Sequence, residues 1–153
     1  MPGFLVRSTI RDFAHAAENA KLAGYDGVEI MGSEGYLIHQ FWSERTNQRT
    51  DQYGGSLENR MRFALEIVRE TRKRTDPDFI LIFRISILDL VEKGASPDEI
   101  VKFAKELKRA GVTILNSGIG WHEARIPTIA SVSGGRPRSL SGGNPTVAFD
   151  SRF

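Results

Sequence analysis

The sequence predicts an α/β fold built on a parallel sheet, because amphipathic helical patterns alternate with short apolar runs along the chain. Three runs have the character of strands: DGVEI at residues 26–30, FILIFRISI at residues 79–87 and VTILN at residues 112–116. The middle run is almost wholly apolar, which is typical of a parallel strand buried on both faces. Periodicity by itself fits a doubly wound sheet and a (β/α)8 barrel equally well.

Capping and breaking residues delimit the first two helices. The first helix is predicted over residues 9–23, where apolar residues recur at helical spacing and Gly24 ends the pattern. The second begins after Ser56, a favourable N-cap residue, and Pro77 marks its exit toward the second strand. Residues 31–55 precede this helix and are predicted to be one long irregular loop, a length that usually carries function.

The third helix opens with the sequence SPDE, in which Ser96 and Glu99 form a capping box with proline at the first helical position. Gly111 closes this helix just before the third strand. From Ser131 the chain is rich in Gly, Ser, Pro and Arg and loses its periodicity. We therefore predict a folded part, residues 1–130, and a disordered tail, residues 131–153, such as a truncated or frameshifted gene would encode.

Composition excludes several classes of protein. The 153 residues are 40% hydrophobic and 26% charged, as in an ordinary globular domain. The chain lacks both a secretory signal and an apolar run of the ~18 residues that would span a membrane, so we expect a cytoplasmic protein. A net charge of +2 with interspersed signs argues against nucleic-acid binding. The absence of cysteine excludes an iron-sulfur cluster within these residues, and His39 has no second ligand at a suitable spacing, so no metal site is predicted.

Two long motifs carry a family resemblance: GYDGVEIMGSEGYL at residues 24–37 and GIGWHEARIPTIA at residues 118–130. Both resemble the Old Yellow Enzyme family of flavin oxidoreductases, and within it the bacterial 2,4-dienoyl-CoA reductase branch. The resemblance implies a (β/α)8 TIM barrel, which usually needs ~250 residues. This chain would supply about three βα units, similar to strands four to six, while residues 131–153 do not match the family. Unpaired barrel edges would then favour self-association.

The resemblance also implies cofactors, a substrate and a reaction. FMN would transfer hydride to a 2,4-dienoyl-CoA thioester in fatty acid β-oxidation, and the chain would be inactive without the rest of the barrel. The FAD, iron-sulfur and NADPH sites of full-length relatives would lie outside this chain. Two alternatives stay open: another family member that acts on enones or amines, and a barrel remnant without a flavin site.

Tyr36 and His122 are the candidate catalytic residues. Tyr36 lies a few residues beyond the first strand, at the end of a barrel where chemistry occurs, and a phenol can deliver a proton if a neighbour stabilises the phenolate. His122 follows the third strand and could hydrogen-bond that phenol. In the dienoyl-CoA reductases the matching Tyr and His have these roles. As isolated residues, a packed aromatic and a surface histidine would be the simpler interpretation.

Arg84 is the candidate cofactor-binding residue. It interrupts the apolar run ILIFRISI, where an unpaired charge would cost several kcal/mol, so it should meet an anion or a carboxylate. The resemblance implies that it contacts the pyrimidine end of FMN. The alternative is a salt bridge to Glu29 or to another carboxylate on an adjacent strand.

The resemblance assigns acyl-CoA contacts to two runs. They are Arg45, Thr46, Asn47 and Gln48, and His122, Glu123, Ala124 and Arg125. Arg49 and the residues up to Gly55 are instead expected to fold the loop. Typical Old Yellow Enzymes bind a carbonyl oxygen with a histidine after the strand and a histidine or asparagine three residues later. Met31 and Glu34 occupy these positions here, which favours the dienoyl-CoA branch over a general enone reductase.

Overall fold

The computed structural model describes residues 1–122. Within them helices and strands follow one another in this order: α1 (Gly3–Leu22), β1 (Gly27–Gly32), α2 (Leu37–Trp42), α3 (Leu57–Arg74), β2 (Ile80–Leu88), α4 (Pro97–Ala110) and β3 (Ile114–Ile119). The predicted tail, residues 131–153, lies outside the described residues. No helix of residues 1–122 is long and apolar enough to cross a membrane.

The three strands form one parallel sheet in the order β1-β2-β3, as the alternation of helical and apolar patterns predicted. The helix-covered face of β2 carries Leu81, Phe83 and Ile85, which are all buried. Phe83 meets Phe103 of α4 edge-on, with ring centroids 5.7 Å apart. Burial of such side chains removes apolar area from water and provides the main driving force for packing α3 and α4 on the sheet.

The opposite face of the sheet is more open and carries polar side chains. Arg84 of β2 lies in register with Met31 of β1 and Asn116 of β3. Glu29 and Asn116, from the two outer strands, are hydrogen-bonded at 2.6 Å. Because the strands are parallel, their carboxyl ends meet at one edge, and the loops that follow β1, β2 and β3 converge there.

The first helix begins earlier than the sequence predicted, at Gly3 and not at residue 9. Val6 is fully buried and lies one turn before Ile10, so it extends the same apolar stripe toward the N-terminus. Pro2 occupies the N-cap position in an extended conformation, and it cannot donate a backbone hydrogen bond.

The prediction of an irregular stretch over residues 31–55 was wrong in two places. Residues Met31 and Gly32 continue β1, since Gly32 pairs with Ile85 of the neighbouring strand. A short helix, α2, then occupies the middle of the supposed loop. Its Ile38, Phe41 and Trp42 are buried against the core, which stabilises six residues that would not be helical in isolation.

Candidate functional site

The chain segments that follow β1 and β3 meet beyond the sheet. Glu34 and Trp121 form an isolated parallel bridge, and the His122 amide donates to the Glu34 carbonyl oxygen at 3.4 Å. Glu34 has a φ of 60°, a left-handed conformation that is uncommon for a residue other than glycine. Such conformations cluster at functional sites, where surrounding contacts hold them in place.

Tyr36 and His122 are brought together by this junction. Their ring centroids are 5.7 Å apart and the rings are inclined by 32°. The phenol is accessible, because Tyr36 is 52% exposed. The sequence analysis proposed that these two residues interact, and in the structure their rings are close enough to do so. Their catalytic roles stay predictions.

The hydrogen bonds of His122 define which ring nitrogen is available. His122 Nδ1 lies 2.9 Å from the carbonyl oxygen of Glu34, an atom that only accepts hydrogen bonds. Nδ1 therefore carries a proton, and Nε2 of the neutral ring is the free acceptor. The nitrogen left to interact with the Tyr36 phenol is thus Nε2.

Arg84 forms an ion pair with a carboxylate from the β1 side. Its Nη2 is 3.1 Å from Glu34 Oε1, and the Arg84 side chain is 36% exposed. The alternative partner considered from the sequence, Glu29, bonds to Asn116 instead. Arg84 Nε is buried without a hydrogen-bond acceptor among the described residues, so the guanidinium has an unused donor.

Glu34 was not among the predicted site residues, yet it contacts two of them. Its backbone carbonyl anchors His122, and its carboxylate pairs with Arg84. The available signal was its position, three residues after Met31, where the family resemblance implies a carbonyl-binding side chain. A carboxylate at such a position needs a cation nearby, and Arg84 was the one charge in an apolar strand.

The predicted substrate run after α2 divides into structural and accessible residues. Asn47 Nδ2 donates to the carbonyl oxygens of Phe41 and, at 2.7 Å, of Tyr53. Thr46 Oγ1 donates to the Gln40 carbonyl at 2.9 Å. Both side chains therefore fix the loop, which the sequence analysis had assigned only to later residues such as Arg49. Their proposed contact with substrate stays a prediction.

An open cleft of about 450 Å³ lies beside this loop. Arg45, Asn47 and Gln48 contribute to its walls, and Arg45 Nη1 reaches across to the Glu92 carbonyl oxygen at 3.2 Å. The charged residues that line the cleft are Glu44, Arg45, Arg49, Arg60 and Lys93. Four of these five described side chains are cationic, and two of the four, Arg49 and Arg60, are already paired with Asp51 and Glu99. The remaining excess of positive charge would attract an anionic group such as a phosphate. The remaining predicted substrate residues, Glu123, Ala124 and Arg125, lie outside the described residues.

His39 is fully buried and has a partner that the sequence analysis missed. Its Nε2 is 3.2 Å from Asp89 Oδ1, and Asp89 is 2% exposed. Its Nδ1 accepts a hydrogen bond from the Gly35 amide at 3.0 Å. A signal existed in principle, because a histidine within ILIHQFW and an aspartate directly after an apolar strand each need a buried partner.

Comparison with known proteins independently supports the family resemblance that the two sequence motifs carry. A family model described as the NADH:flavin oxidoreductase / NADH oxidase family matches residues 5–141, so the match extends past residue 130, where the resemblance was expected to stop. An NADH oxidase of Thermoanaerobacter brockii is 44% identical over 128 residues, which are 84% of this chain and 20% of that protein. Over its matched part, the chain spans about a fifth of the length of such relatives.

Two solved structures are also similar to this chain. A 2-naphthoyl-CoA reductase in complex with 2-naphthoyl-CoA superposes with a TM-score of 0.77 at 40% identity, covering 81% of this chain and 19% of that one. An old yellow enzyme homologue from Zymomonas mobilis superposes with a TM-score of 0.70 at 28% identity, covering 78% of this chain and 34% of that one.

Proposed function

Because the chain belongs to the NADH:flavin oxidoreductase / NADH oxidase family, we propose that it carries part of the active site of an FMN-dependent reductase of conjugated acyl-CoA thioesters. FMN is the cofactor of this family. The predicted fold is confirmed: the three-stranded parallel sheet is a fragment of the (β/α)8 barrel of these flavoproteins. The observation that carries the proposal is the contact between Tyr36 and His122 beyond the strand ends, where Glu34, which anchors His122, also pairs with Arg84.

Arg84 fits one edge of a flavin. Its guanidinium is partly exposed on the open face of the sheet and is directed by the ion pair with Glu34. A planar cation of this kind makes strong, charge-assisted hydrogen bonds to the carbonyl oxygens and ring nitrogens of a pyrimidine. Arg84 would thus hold the pyrimidine end of FMN, and the phosphate would be held by parts of the barrel other than residues 1–122.

The proposed reaction reduces the C4–C5 double bond of a 2,4-dienoyl-CoA. FMN, when bound and reduced, would provide the hydride for the δ-carbon, so that two electrons would pass to the substrate as a proton adds at the γ-carbon. Tyr36 Oη is the group that holds this proton. The single phenol proton passes to the γ-carbon. With Nδ1 of His122 committed to Glu34, Nε2 would face the phenol oxygen and, carrying a proton taken from solvent, would donate a hydrogen bond to the phenolate left after transfer.

Three observations support a CoA thioester as the substrate class. Glu34 is paired with Arg84, so its carboxylate does not offer the neutral hydrogen-bond donor that an enone oxygen requires. The cationic cleft beside Arg45 and Gln48 suits the phosphates of CoA. The 2-naphthoyl-CoA reductase, 40% identical, is a relative whose structure contains a CoA thioester.

A flavin titration tests the first half of the proposal. We expect the chain to quench FMN fluorescence saturably and Arg84→Ala to weaken this binding by about 10-fold, since a charge-assisted hydrogen bond is lost. Arg11→Ala is the matched control, because Arg11 is an exposed arginine on α1. A folded chain that does not bind FMN, or equal binding by Arg84→Ala and the control, would contradict the proposed cofactor site.

Because the chain is expected to be inactive without the rest of the barrel, substrate class is tested on a complete barrel that contains residues 1–122. This FMN-loaded protein is reduced anaerobically by dithionite. Reoxidation of the flavin is followed after addition of 2,4-hexadienoyl-CoA, 2-naphthoyl-CoA or cyclohexenone. The proposal expects the dienoyl-CoA to be the fastest oxidant. Reoxidation by cyclohexenone but not by either thioester would assign the chain to the general enone reductases instead, and preference for 2-naphthoyl-CoA would correct the acyl group while retaining CoA.

A further inference from the structure

We propose that His39 and Asp89 form a buried positioning pair that fixes the backbone of Gly35 and Tyr36 and thereby aims the Tyr36 phenol at His122. The inference rests on the function proposed above for Tyr36. Neither His39 nor Asp89 lies among the residues considered for substrate or flavin, and both are almost completely removed from solvent. Their role would be exerted entirely through the segment that carries Tyr36.

The hydrogen bond from Gly35 defines the tautomer of His39. A backbone amide can only donate, so the Gly35 N–H at 3.0 Å requires an unprotonated Nδ1 on His39. The proton of the neutral ring is then on Nε2, and this nitrogen lies 3.2 Å from Asp89 Oδ1. The carboxylate of Asp89 thus selects the tautomer whose Nδ1 can hold Gly35.

Asp89 is itself held in place. Its Oδ2 accepts the Ala95 amide at 2.8 Å, which leaves Oδ1 for His39. Burial acts to raise the pKa of the Asp89 carboxyl, but the nearby His39 and Ser86 side chains and the hydrogen bond from the Ala95 amide together hold that pKa below its ordinary value. The carboxylate stays ionised, so the direction of the His39 ring is fixed from the β2 side.

Two tryptophans clamp the His39 ring. Trp42 of α2 stacks on it at 5.1 Å with an angle of 16°, and Trp121 packs against it at 4.4 Å with an angle of 52°. Trp121 directly precedes His122, the proposed partner of Tyr36. The ring of His39 therefore joins α2, the loop after β2 and the segment after β3 at one point.

The backbone around Tyr36 is hydrogen-bonded on every side. The Gly35 amide is held by His39, and the Gly35 carbonyl accepts from Gln40 Nε2 at 2.6 Å. The Tyr36 amide donates to Ser33 at 3.2 Å, and the Tyr36 carbonyl accepts from the Gln40 amide at 2.9 Å. Only the side chain of Tyr36 is free to leave this framework, and it is half exposed. The direction of its Cα–Cβ bond is thus set by the backbone, which His39 holds at Gly35.

A side chain of similar volume without the two nitrogens could fill the same space but would leave the Gly35 amide unsatisfied. A misplacement of about 1 Å in a reacting group can cost about 100-fold in rate. The pair is therefore expected to affect the rate constant of proton transfer more than the binding of substrate. If the pair only stabilised the fold, its loss would lower the amount of folded protein and leave kcat and KM of the folded fraction unchanged.

The geometric test uses NMR on the full chain, which has three histidines and needs no substrate. Long-range ¹H–¹⁵N spectra should show His39 as the Nε2–H tautomer, and the ring protons of Tyr36 and His122 should be linked by a nuclear Overhauser effect. A His39 ring protonated on Nδ1 would overturn the proposal. Because neither signal depends on catalysis, this test keeps its meaning even if the chain proves not to reduce a dienoyl-CoA.

Two amide substitutions of His39 separate its two contacts. His39→Asn places an oxygen near the position of Nδ1 and can still accept from Gly35, whereas His39→Gln places its amide near Nε2 and keeps only the contact with Asp89. We expect His39→Gln to raise the hydrogen-exchange rate of the Gly35 amide by about 10-fold or more and to abolish the Tyr36–His122 Overhauser effect. His39→Asn should retain both. An unchanged Gly35 amide and an intact Overhauser effect in His39→Gln would overturn the proposal.

Asp89→Asn provides a second route if His39→Gln fails to fold. The asparagine keeps one oxygen, which the Ala95 amide needs, so its NH2 group faces His39. A donor at that place favours the opposite His39 tautomer, and the Nδ1–H of that tautomer then faces the N–H of Gly35. The expected result is loss of Gly35 protection. In the FMN-loaded protein, flavin reoxidation by dienoyl-CoA should then slow by about 10-fold or more at saturating substrate, with KM within about twofold. Retention of the Nε2–H tautomer with a protected Gly35 amide in Asp89→Asn would contradict the positioning role.

Discussion

Tyr36 and His122 lie beyond two strands that are not neighbours in the sheet, yet their ring centroids are only 5.7 Å apart. The contact depends on Glu34, whose left-handed backbone bridges to Trp121 and whose carbonyl accepts the His122 ring N–H. The phenol and the imidazole are therefore arranged by main-chain geometry. Side-chain changes at either ring should alter chemistry with little effect on the position of the other.

Tyr36→Phe tests the phenol as proton donor. The ring and its packing are retained and only Oη is removed, so we expect FMN binding to stay unchanged. Flavin reoxidation by a dienoyl-CoA should slow by about 100-fold or more, the usual contribution of a positioned general acid. Stopped-flow absorbance of the reduced, FMN-loaded protein measures this directly. A Tyr36→Phe protein as fast as the wild type would assign the proton to another group.

His122→Asn tests whether Nε2, and not the imidazole as a whole, assists the phenol. The asparagine amide can still donate to the Glu34 carbonyl from near the position of Nδ1, so the segment should stay in place. We expect a loss of rate of about 10-fold with unchanged substrate binding. His122→Gln, which restores a polar group near Nε2, is the matched comparison and should recover part of that rate. Equal rates in both variants would show that Nε2 has no role.

Gly35→Ala tests the close approach of the Tyr36 segment to the residues after β3. Gly35 has a φ of +82°, and a Cβ there would lie 2.5 Å from Trp121 Nε1. Gly24 is the control, since its φ is +90° and an added Cβ would meet nothing within 4 Å. Both substitutions pay for left-handed backbone, about 1–2 kcal/mol, but only Gly35→Ala adds a clash of about 1–3 kcal/mol. Urea unfolding should show this difference. An equal decrease in the free energy of unfolding in both variants would mean that the Trp121 side chain moves aside without an energetic cost.

The parts of the fold that the sequence predicted are those with a local signal. The alternation of apolar and amphipathic segments predicted the parallel strands, and Ser96 with Glu99 forms the expected capping box. Ser56 likewise accepts a hydrogen bond from the Asn59 amide as an N-cap. Each of these features depends on residues within one or two turns of one another, so the pattern can be recognised in a single segment.

The missed parts depend on contacts between distant segments. Helix α2 spans less than two turns, too little for a period to be counted, and is stabilised by burial of Trp42. The partners of Arg84 and His39 are Glu34 and Asp89, which are contributed by other elements of the fold. The sequence could show that each buried polar group needs a partner, but only the three-dimensional arrangement identifies which one.

Arg60→Met tests how α3 is tied to α2 and α4. Arg60 is 7% exposed and donates to the Trp42 carbonyl at 3.0 Å, to the Gly55 carbonyl at 2.9 Å and to Glu99 at 2.7 Å. Methionine fills similar volume but leaves these acceptors unpaired, so we expect the free energy of unfolding to fall by about 2–3 kcal/mol.

The control for this change is Arg109→Met, since Arg109 is an exposed arginine whose carboxylate partner, Glu106, lies one turn away on the same helix. Exposed pairs of that kind contribute about 0.5 kcal/mol or less. Chemical unfolding followed by tryptophan fluorescence should separate the two variants. A loss at Arg60 no larger than at Arg109 would show that water replaces its three hydrogen bonds.

Glu58 and Lys102 give the surface between α3 and α4 a defined dependence on pH. A hydrogen bond from the Lys102 ammonium is the main reason that the pKa of the Glu58 carboxyl is lowered to about 2 from its ordinary value of 4.5. A carboxyl whose pKa is lower in the folded state contributes stability above its ordinary pKa and loses that contribution as the pH falls toward about 2.

The ¹³C chemical shift of the Glu58 carboxyl should therefore titrate at about pH 2 in the wild type. Lys102→Met should return the midpoint toward 4.5, whereas Lys108→Met on the same helix should leave it unchanged. Because both partners are exposed, high salt should shift the wild-type midpoint in the same direction as Lys102→Met. A wild-type midpoint already near the ordinary value would show that the two side chains do not stay paired in solution.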